Sequence, residues 1–245
     1  TSRKNPLLQQ VKKLLSSRKA REEAGLFAAD GVKLLGEAVR WYPGLDTVIL
    51  SEDVHADVPE SVRLFRVPED VMASISPMES PQGALFLCRL PEKKAYEPHP
   101  GCLLLDGIQD PGNLGTMIRT GEGAGVDGIL MSKGTVDIYN PKTIRSTMGS
   151  LYRVPFLYTG DLTQTIGQLQ KTGIRVYAAH LKGTKSYREP DYAEGAAFLI
   201  GNEGNGLKEE TAALADEYIR IPMQGKLESL NAAVAAALLM YEVAV

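Results

Sequence analysis

Apolar residues recur along the chain with two alternating periods. Leu7, Val11, Leu14 and Leu15 fall at helical spacing and predict a first helix over about residues 6–17, with Pro6 near its N-terminus. Leu26–Asp30, Thr47–Ser51, Leu64–Val67 and Gly83–Arg89 read as strands, and Gly31–Trp41 and Glu69–Ile75 as helices. This alternation predicts a small α/β/α unit. Pro91–Gly101 (PEKKAYEPHPG) has three prolines and a short charge run without apolar periodicity, the composition of an interdomain linker. The expected division is a first domain over 1–92, a linker over 93–100 and a second domain over 101–245.

Beyond the linker the alternation resumes. Cys102–Leu105, Gly128–Met131, Arg175–Ala179, Ala196–Ile200 and Tyr218–Ile221 read as strands. Helices are expected over Asn113–Ala124, from Pro141 to Ser146, and over Thr163–Lys171, Lys208–Leu214 and Ser229–Val243. Five or six short strands with short connections predict a mainly parallel sheet covered on both faces.

Composition narrows the class. The chain has 245 residues, 44% hydrophobic and 23% charged, which excludes disordered, collagen-like and fibrous chains. No apolar run approaches the roughly 18 residues that span a bilayer; the Ala-rich Asn231–Val245 stretch reads as a core helix. Thr1–Asn5 is polar and basic, unlike a secretory signal, and the missing initiator Met suggests a lost upstream segment. Cys88 and Cys102 sit in apolar strands and make no disulfide scaffold, so a reducing cytoplasm is expected. His55, His99 and His180 are scattered, without metal-ligand spacing, and no metal is expected.

Net charge is −3, but residues 1–21 carry seven Lys/Arg and no acid. That segment reads either as a solvated helix face or as a phosphate-facing arm.

Three polar motifs follow strands of the second domain. Asp106–Thr120 (DGIQDPGNLGTMIRT) leaves a strand through Pro111-Gly112, and Asn113 reads as a helix N-cap. Capping leaves Arg119 unexplained, and Gly115 could admit a close backbone or ligand approach. Ala196–Leu207 (AAFLIGNEGNGL) runs from an apolar strand into Gly201, Gly204 and Gly206, with Asn202 and Glu203 between. Loops at the carboxyl ends of parallel strands are where such sheets bind ligands, and a tight turn alone leaves Glu203 without a purpose. Ile219–Ala232 (IRIPMQGKLESLNA) opens a long helix, with Ser229 readable as its N-cap. Gly121, Gly123 and Gly125 end a helix and are spaced GxGxG, so they are no dinucleotide fingerprint; Gly183–Ser186 lacks the first glycine of a P-loop.

With these motifs in this order, the chain resembles the SpoU (TrmH-type) branch of the SPOUT RNA methyltransferases over nearly all its length. Asn113–Thr120, Ile200–Leu207 and Ile221 through Asn231 match the family's three motifs, and Asn140–Arg153 resembles the segment between the first two. Asn5-Pro6, the basic helix and Gly31 resemble its ribosomal-protein-like, N-terminal substrate-binding domain.

The resemblance implies S-adenosylmethionine-dependent methylation of a ribose 2′-hydroxyl in structured RNA, 23S rRNA first and tRNA second. It also implies a deep trefoil knot in the parallel-sheet domain and a cytoplasmic homodimer with sites at the subunit interface. Arg119 would stabilise the developing alkoxide, since a guanidinium with a pKa above about 12 is a poor base. Asn113, Glu203, Ser229 and Asn231 would complete the catalytic wall. Ala179, Gly201, Gly206, Ile221 and Leu230 would hold the cofactor, and Arg145, Lys12, Lys13, Arg18 and Lys19 would meet RNA. The alternative is an inactive RNA-binding scaffold on the same fold; a nucleotide-dependent oxidoreductase fails for want of a fingerprint.

Overall fold

The computed structural model describes residues 5–92 and 101–243. The linker expected over 93–100, and His99 within it, lie outside the described residues. The chain forms two compact units, one of Thr1–Lys94 with Asp137–Arg153, the other of Ala95–Val136 and Val154–Val245.

In the first unit, helix α1 (Pro6–Ser16) is capped by Asn5, whose Oδ1 accepts a hydrogen bond from the Leu7 amide at 2.9 Å. Leu8, Val11 and Leu14 share its buried face. Helix α2 (Arg18–Ala24), absent from the periodicity reading, is capped by Ser17 and ends at Gly25 in a left-handed conformation. Its RKAREEA sequence has no apolar stripe, and the residue it buries is Arg21.

Strand β1 (Leu26–Asp30), helix α3 (Val32–Trp41), strands β2 (Leu45–Ser51) and β3 (Arg63–Val67), helix α4 (Glu69–Ile75) and strand β4 (Ala84–Arg89) complete the N-terminal part. The sheet order is β1-β4-β2-β3, with β4 antiparallel to both neighbours and β2 parallel to β3. Successive side chains alternate between faces. Ala28, Ile49, Leu85 and Leu87 therefore pack with α1 and α4 on one side. Phe27, on the opposite parity, meets the rings of Tyr42 at 5.7 Å and Tyr139 at 4.6 Å.

Tyr139 belongs to the returning segment 137–153, which carries helix α6 (Pro141–Thr147) and a 3-10 turn over Ser150–Tyr152. Arg21 anchors this segment. Its Nε and Nη2 donate to Asp137 Oδ2 at 3.0 and 2.6 Å, and Nη1 donates to the Leu14 carbonyl at the end of α1. The two side chains are 5% and 13% exposed, so an otherwise costly buried charge is paired.

In the second unit, seven strands stand in the order β7-β6-β5-β10-β8-β11-β9, every pair parallel. They are β5 (Gly101–Asp106), β6 (Gly128–Met131), β7 (Phe156–Tyr158), β8 (Arg175–Ala179), β9 (Lys185–Ser186), β10 (Ala196–Gly201) and β11 (Glu217–Arg220). The two edge strands, β7 and β9, span three and two residues, too short to show a period of two in the sequence. Helices α5 (Pro111–Ala124), α7 (Leu162–Lys171), α8 (Glu209–Ala212) and α9 (Ala232–Val243) connect or flank the strands. Leu104, Leu130, Val176 and Leu199 of the sheet pack against Leu162, Ile166 and Leu169 of α7.

Both expected N-caps move. Asp110 caps α5, its Oδ1 accepting from the Asn113 amide at 2.8 Å, with Pro111 in the first turn. Asn113 thus lies inside the helix, its side chain released from capping. Helix α9 begins at Ala232, capped not by Ser229 but by Asn231, whose Oδ1 accepts from Ala233 and Val234. Among the described residues, no helix is long and apolar enough to cross a membrane.

Candidate active site

Strands β5 and β10 are paired in register to their last residues, Asp106 opposite Gly201, so the loops that follow emerge side by side. Asn202 Nδ2 ties them by donating to the Gly107 carbonyl at 2.8 Å. Gly201 admits no side chain: a Cβ there would lie 2.3 Å from the Gly206 carbonyl carbon and the Leu207 nitrogen. Gly206 holds φ at +68°, the left-handed region that glycine enters without steric cost. The loop therefore folds back on itself as bare backbone, bridging Asn202 and Gly206.

At this end of the sheet lies a cavity of about 820 Å³. Three chain segments wall it: Ile200–Leu207, Ile219–Met223, and Leu227 through the start of α9, with Ala179 and His180 at the end of β8. Asn113, Glu203, Ser229 and Asn231 of the expected catalytic set line it, as do Ala179, Gly201, Gly206, Ile221 and Leu230 of the expected cofactor set. Arg119 does not. It is exposed on α5, two turns beyond Asn113, and makes no ion pair among the described residues.

Three of the lining side chains form one hydrogen-bonded chain. Asn113 Nδ2 donates to Glu203 Oε1 at 3.0 Å, and Asn231 Nδ2 donates to Asn113 Oδ1 at 3.0 Å. Glu203 also accepts from the Gln109 amide at 3.0 Å and the Asp110 amide at 3.1 Å. A carboxylate only accepts, so it fixes which end of the Asn113 amide faces it, and Asn113 then fixes Asn231. Burial alone would raise the Glu203 carboxyl, but the bonds from Gln109, Asn113 and Asp110 outweigh it and hold the pKa below the usual glutamate value. Asn113 and Glu203 thus orient each other and Asn231.

His180, a scattered histidine without metal-ligand spacing in the sequence, also lines the cavity. Its ring stacks on Tyr218 at 4.8 Å, and its Nδ1 accepts from the Lys182 amide at 3.1 Å. Burial, then the Lys182 charge, push its pKa down and so favour the neutral imidazole, and because Nδ1 accepts, the proton of that form sits on Nε2. Its position directly after β8, at the carboxyl edge of a parallel sheet, was the available signal. Met223 and Leu227, within the third motif, and Leu239 of α9 add apolar wall.

The expected RNA contacts lie on the first unit. Lys12 and Lys13 are exposed on α1. Arg18 and Lys19 are exposed as well, pairing with Glu22 at 2.9 Å and Glu23 at 3.7 Å. Arg145 is half-buried; its Nη1 is enclosed without a hydrogen-bond partner, and its charge acts on Asp30. Burial raises the Asp30 carboxyl, against lowering by Ser76 and Arg145.

A parallel α/β sheet with a glycine-lined cavity at its carboxyl edge, and a Glu203–Asn113–Asn231 chain on its rim, is the frame of a ligand-binding site. Residues 101–241 match the SpoU rRNA Methylase family and residues 5–85 the MRM3-like substrate binding domain. The chain belongs to the SpoU rRNA methylase family. It is 35% identical over 243 residues to the 23S rRNA (guanosine(2553)-2′-O)-methyltransferase RlmP of Bacillus subtilis, covering 98% of this chain and 96% of that one. The AdoMet-bound rRNA methyltransferase from Sinorhizobium meliloti superposes with a TM-score of 0.86 at 30% identity, covering 99% of this chain and 95% of that one. The SpoU methyltransferase AviRb from Streptomyces viridochromogenes, solved with AdoMet, superposes with a TM-score of 0.85 at 25% identity, covering 98% and 97%.

Proposed function

We propose that this protein is an S-adenosylmethionine-dependent methyltransferase acting on a ribose 2′-hydroxyl of RNA, with 23S rRNA as the substrate. The observation that carries the reading is the Glu203–Asn113–Asn231 chain on the rim of the cavity, in a chain that matches RlmP along its length.

The cavity fits S-adenosylmethionine. Backbone carbonyls of Gly201–Gly206 and the backbone of Ile221 and Met223 offer hydrogen bonds to adenine and to the methionine end, while Ala179, Ile221 and Leu230 give apolar wall. Bound there, S-adenosylmethionine supplies a sulfonium-activated methyl group, which the ribose oxygen accepts as the sulfonium becomes a neutral thioether and the hydroxyl proton leaves to solvent. Asn113, held by Glu203, and Ser229 position the ribose; near-attack positioning contributes several kcal/mol to such reactions, roughly 7–11 at its upper range.

Arg119 stabilises the alkoxide from a second copy of the chain. Support comes from its exposure beyond the cavity wall and from the apolar stripe beside it: Val234, Leu238 and Tyr241 of α9 are exposed at 49%, 36% and 54%. Helix α9 packs along α5, so a two-fold pairing of these helices would cover the stripe and carry Arg119 to the partner's cavity. The trefoil knot, with residues 222–231 passing through a loop of the sheet domain, is part of the same proposal. Ribosomal RNA as substrate sets the work in the cytoplasm. The direct test is mapping 2′-O-methyl positions in rRNA from cells with and without the gene.

A further inference from the structure

Trp41 is the only tryptophan in the chain and closes α3 with 47% of its surface exposed. Tryptophan ordinarily contributes its large apolar area to a core or an interface. Here two guanidiniums lie over the indole instead, Arg40 with Cζ 5.1 Å from the ring centroid and Arg153 at 5.6 Å. Arg153 is held in place by Glu37, to which its Nη1 donates. Arg40 makes no hydrogen bond or ion pair among the described residues, so it can swing off the ring.

We propose that Trp41, Arg40 and Arg153 form a stacking platform for an unpaired base of the RNA, with the guanidiniums meeting the flanking phosphates. This rests on the RNA-substrate reading above. A π-face that Arg40 can vacate, with cations adjacent, matches the two surfaces that a single-stranded nucleotide presents, base and phosphate. A duplex hides its base faces, so the platform selects loops and bulges. Charge favours RNA over a protein partner: the unit that carries Trp41 has 17 Lys/Arg against 14 Asp/Glu, whereas the other has 10 against 16.

Because Trp41 is unique, its fluorescence reports the platform alone. The full-length protein is titrated with an oligoadenylate of about ten nucleotides and with a base-paired RNA of equal phosphate content. Saturable quenching by the oligoadenylate, and little by the duplex, is expected. Trp41→Ala should weaken oligoadenylate binding roughly 5- to 150-fold, the range for losing one base–aromatic stack, without altering the log–log salt slope. Trp41→Phe should recover most of the loss, and Arg40→Ala should reduce the slope by about 0.7. Unchanged emission and affinity would overturn the platform, as would a Trp41→Ala change that shifts the oligomeric state while sparing RNA affinity, which marks a protein contact. If wild type and Trp41→Ala methylate rRNA with equal KM, the platform alone falls. If the wild type neither binds nor methylates any RNA, the RNA reading falls and the platform with it.

Discussion

Asn113 and Glu203, 90 positions apart in the sequence, meet through a hydrogen bond of 3.0 Å from Nδ2 to Oε1. The bond joins the start of α5 to the loop after β10, and Asn231 extends it to the cap of α9. One carboxylate thus sets the geometry of three chain segments around the cavity.

Glu203→Gln is therefore expected to do more than remove a charge. The carboxylate accepts from three donors, whereas a glutamine turns its own NH2 toward one of them. Misplacement on the order of 1 Å costs about 10²-fold in rate, so kcat should fall by about that factor while the fold is kept. Single-turnover methylation with circular dichroism as the folding control measures both. The pH dependence carries a sign. Because the folded pKa lies below the usual value, the stabilisation is fully present above about pH 4.3 and is lost as pH falls through the folded pKa. Activity should show no Glu203 titration between pH 6 and 8, and a step there would contradict the assignment.

Arg119→Ala should abolish methyl transfer while leaving S-adenosylmethionine affinity within a few fold, since Arg119 lies outside the cavity wall. Mixing it with Asn113→Ala under subunit exchange should restore activity, because a mixed pair regains one complete site. Calorimetry showing lost cofactor affinity, or no recovery on mixing, would remove Arg119 from its proposed place.

Arg21→Ala should destabilise the protein by about 3–5 kcal/mol, the cost of stranding one partner of a buried pair. Asp137 would keep its charge with both guanidinium donors gone. Arg21→Met paired with Asp137→Leu should lose much less. Urea denaturation of the three proteins checks the order, and equal loss in single and double variants would contradict it.

Replacing Lys12, Lys13, Arg18 and Lys19 together by alanine should weaken RNA binding and lower the log–log salt slope by about 0.7 to 0.9 for each phosphate that is no longer neutralised. Arg18 and Lys19 are paired within α2, so most of the effect is expected from Lys12 and Lys13. An unchanged slope would identify α1 as a solvated face.

Elements with an apolar period were legible in the sequence: α1, α3, α7 and the central strands carry one, and their ends agree within a few residues. Helix α2 was not, because its inward residue is an arginine. Edge strands β7 and β9 are shorter than one readable period. The caps of α5 and α9 were misplaced for one reason: several residues in each approach can cap, and only tertiary bonds decide which is free. Asp110 caps so that Asn113 can reach Glu203, and Asn231 caps while its amide reaches Asn113. The return of segment 137–153 to the first unit rests on Arg21 and Asp137, 116 positions apart, which no local pattern reports. At the cavity the three motifs contain most of the lining residues, whereas His180, Leu181 and Leu239 lie outside them.

The most direct measurement is transfer of a labelled methyl group from S-adenosylmethionine to purified 23S rRNA, followed by alkaline hydrolysis. A 2′-O-methyl group blocks cleavage at its own nucleotide, so the account predicts label retained in one alkali-resistant dinucleotide, and none with Arg119→Ala. Tight RNA binding with no label transferred, or label on a base in an alkali-sensitive nucleotide, would contradict it.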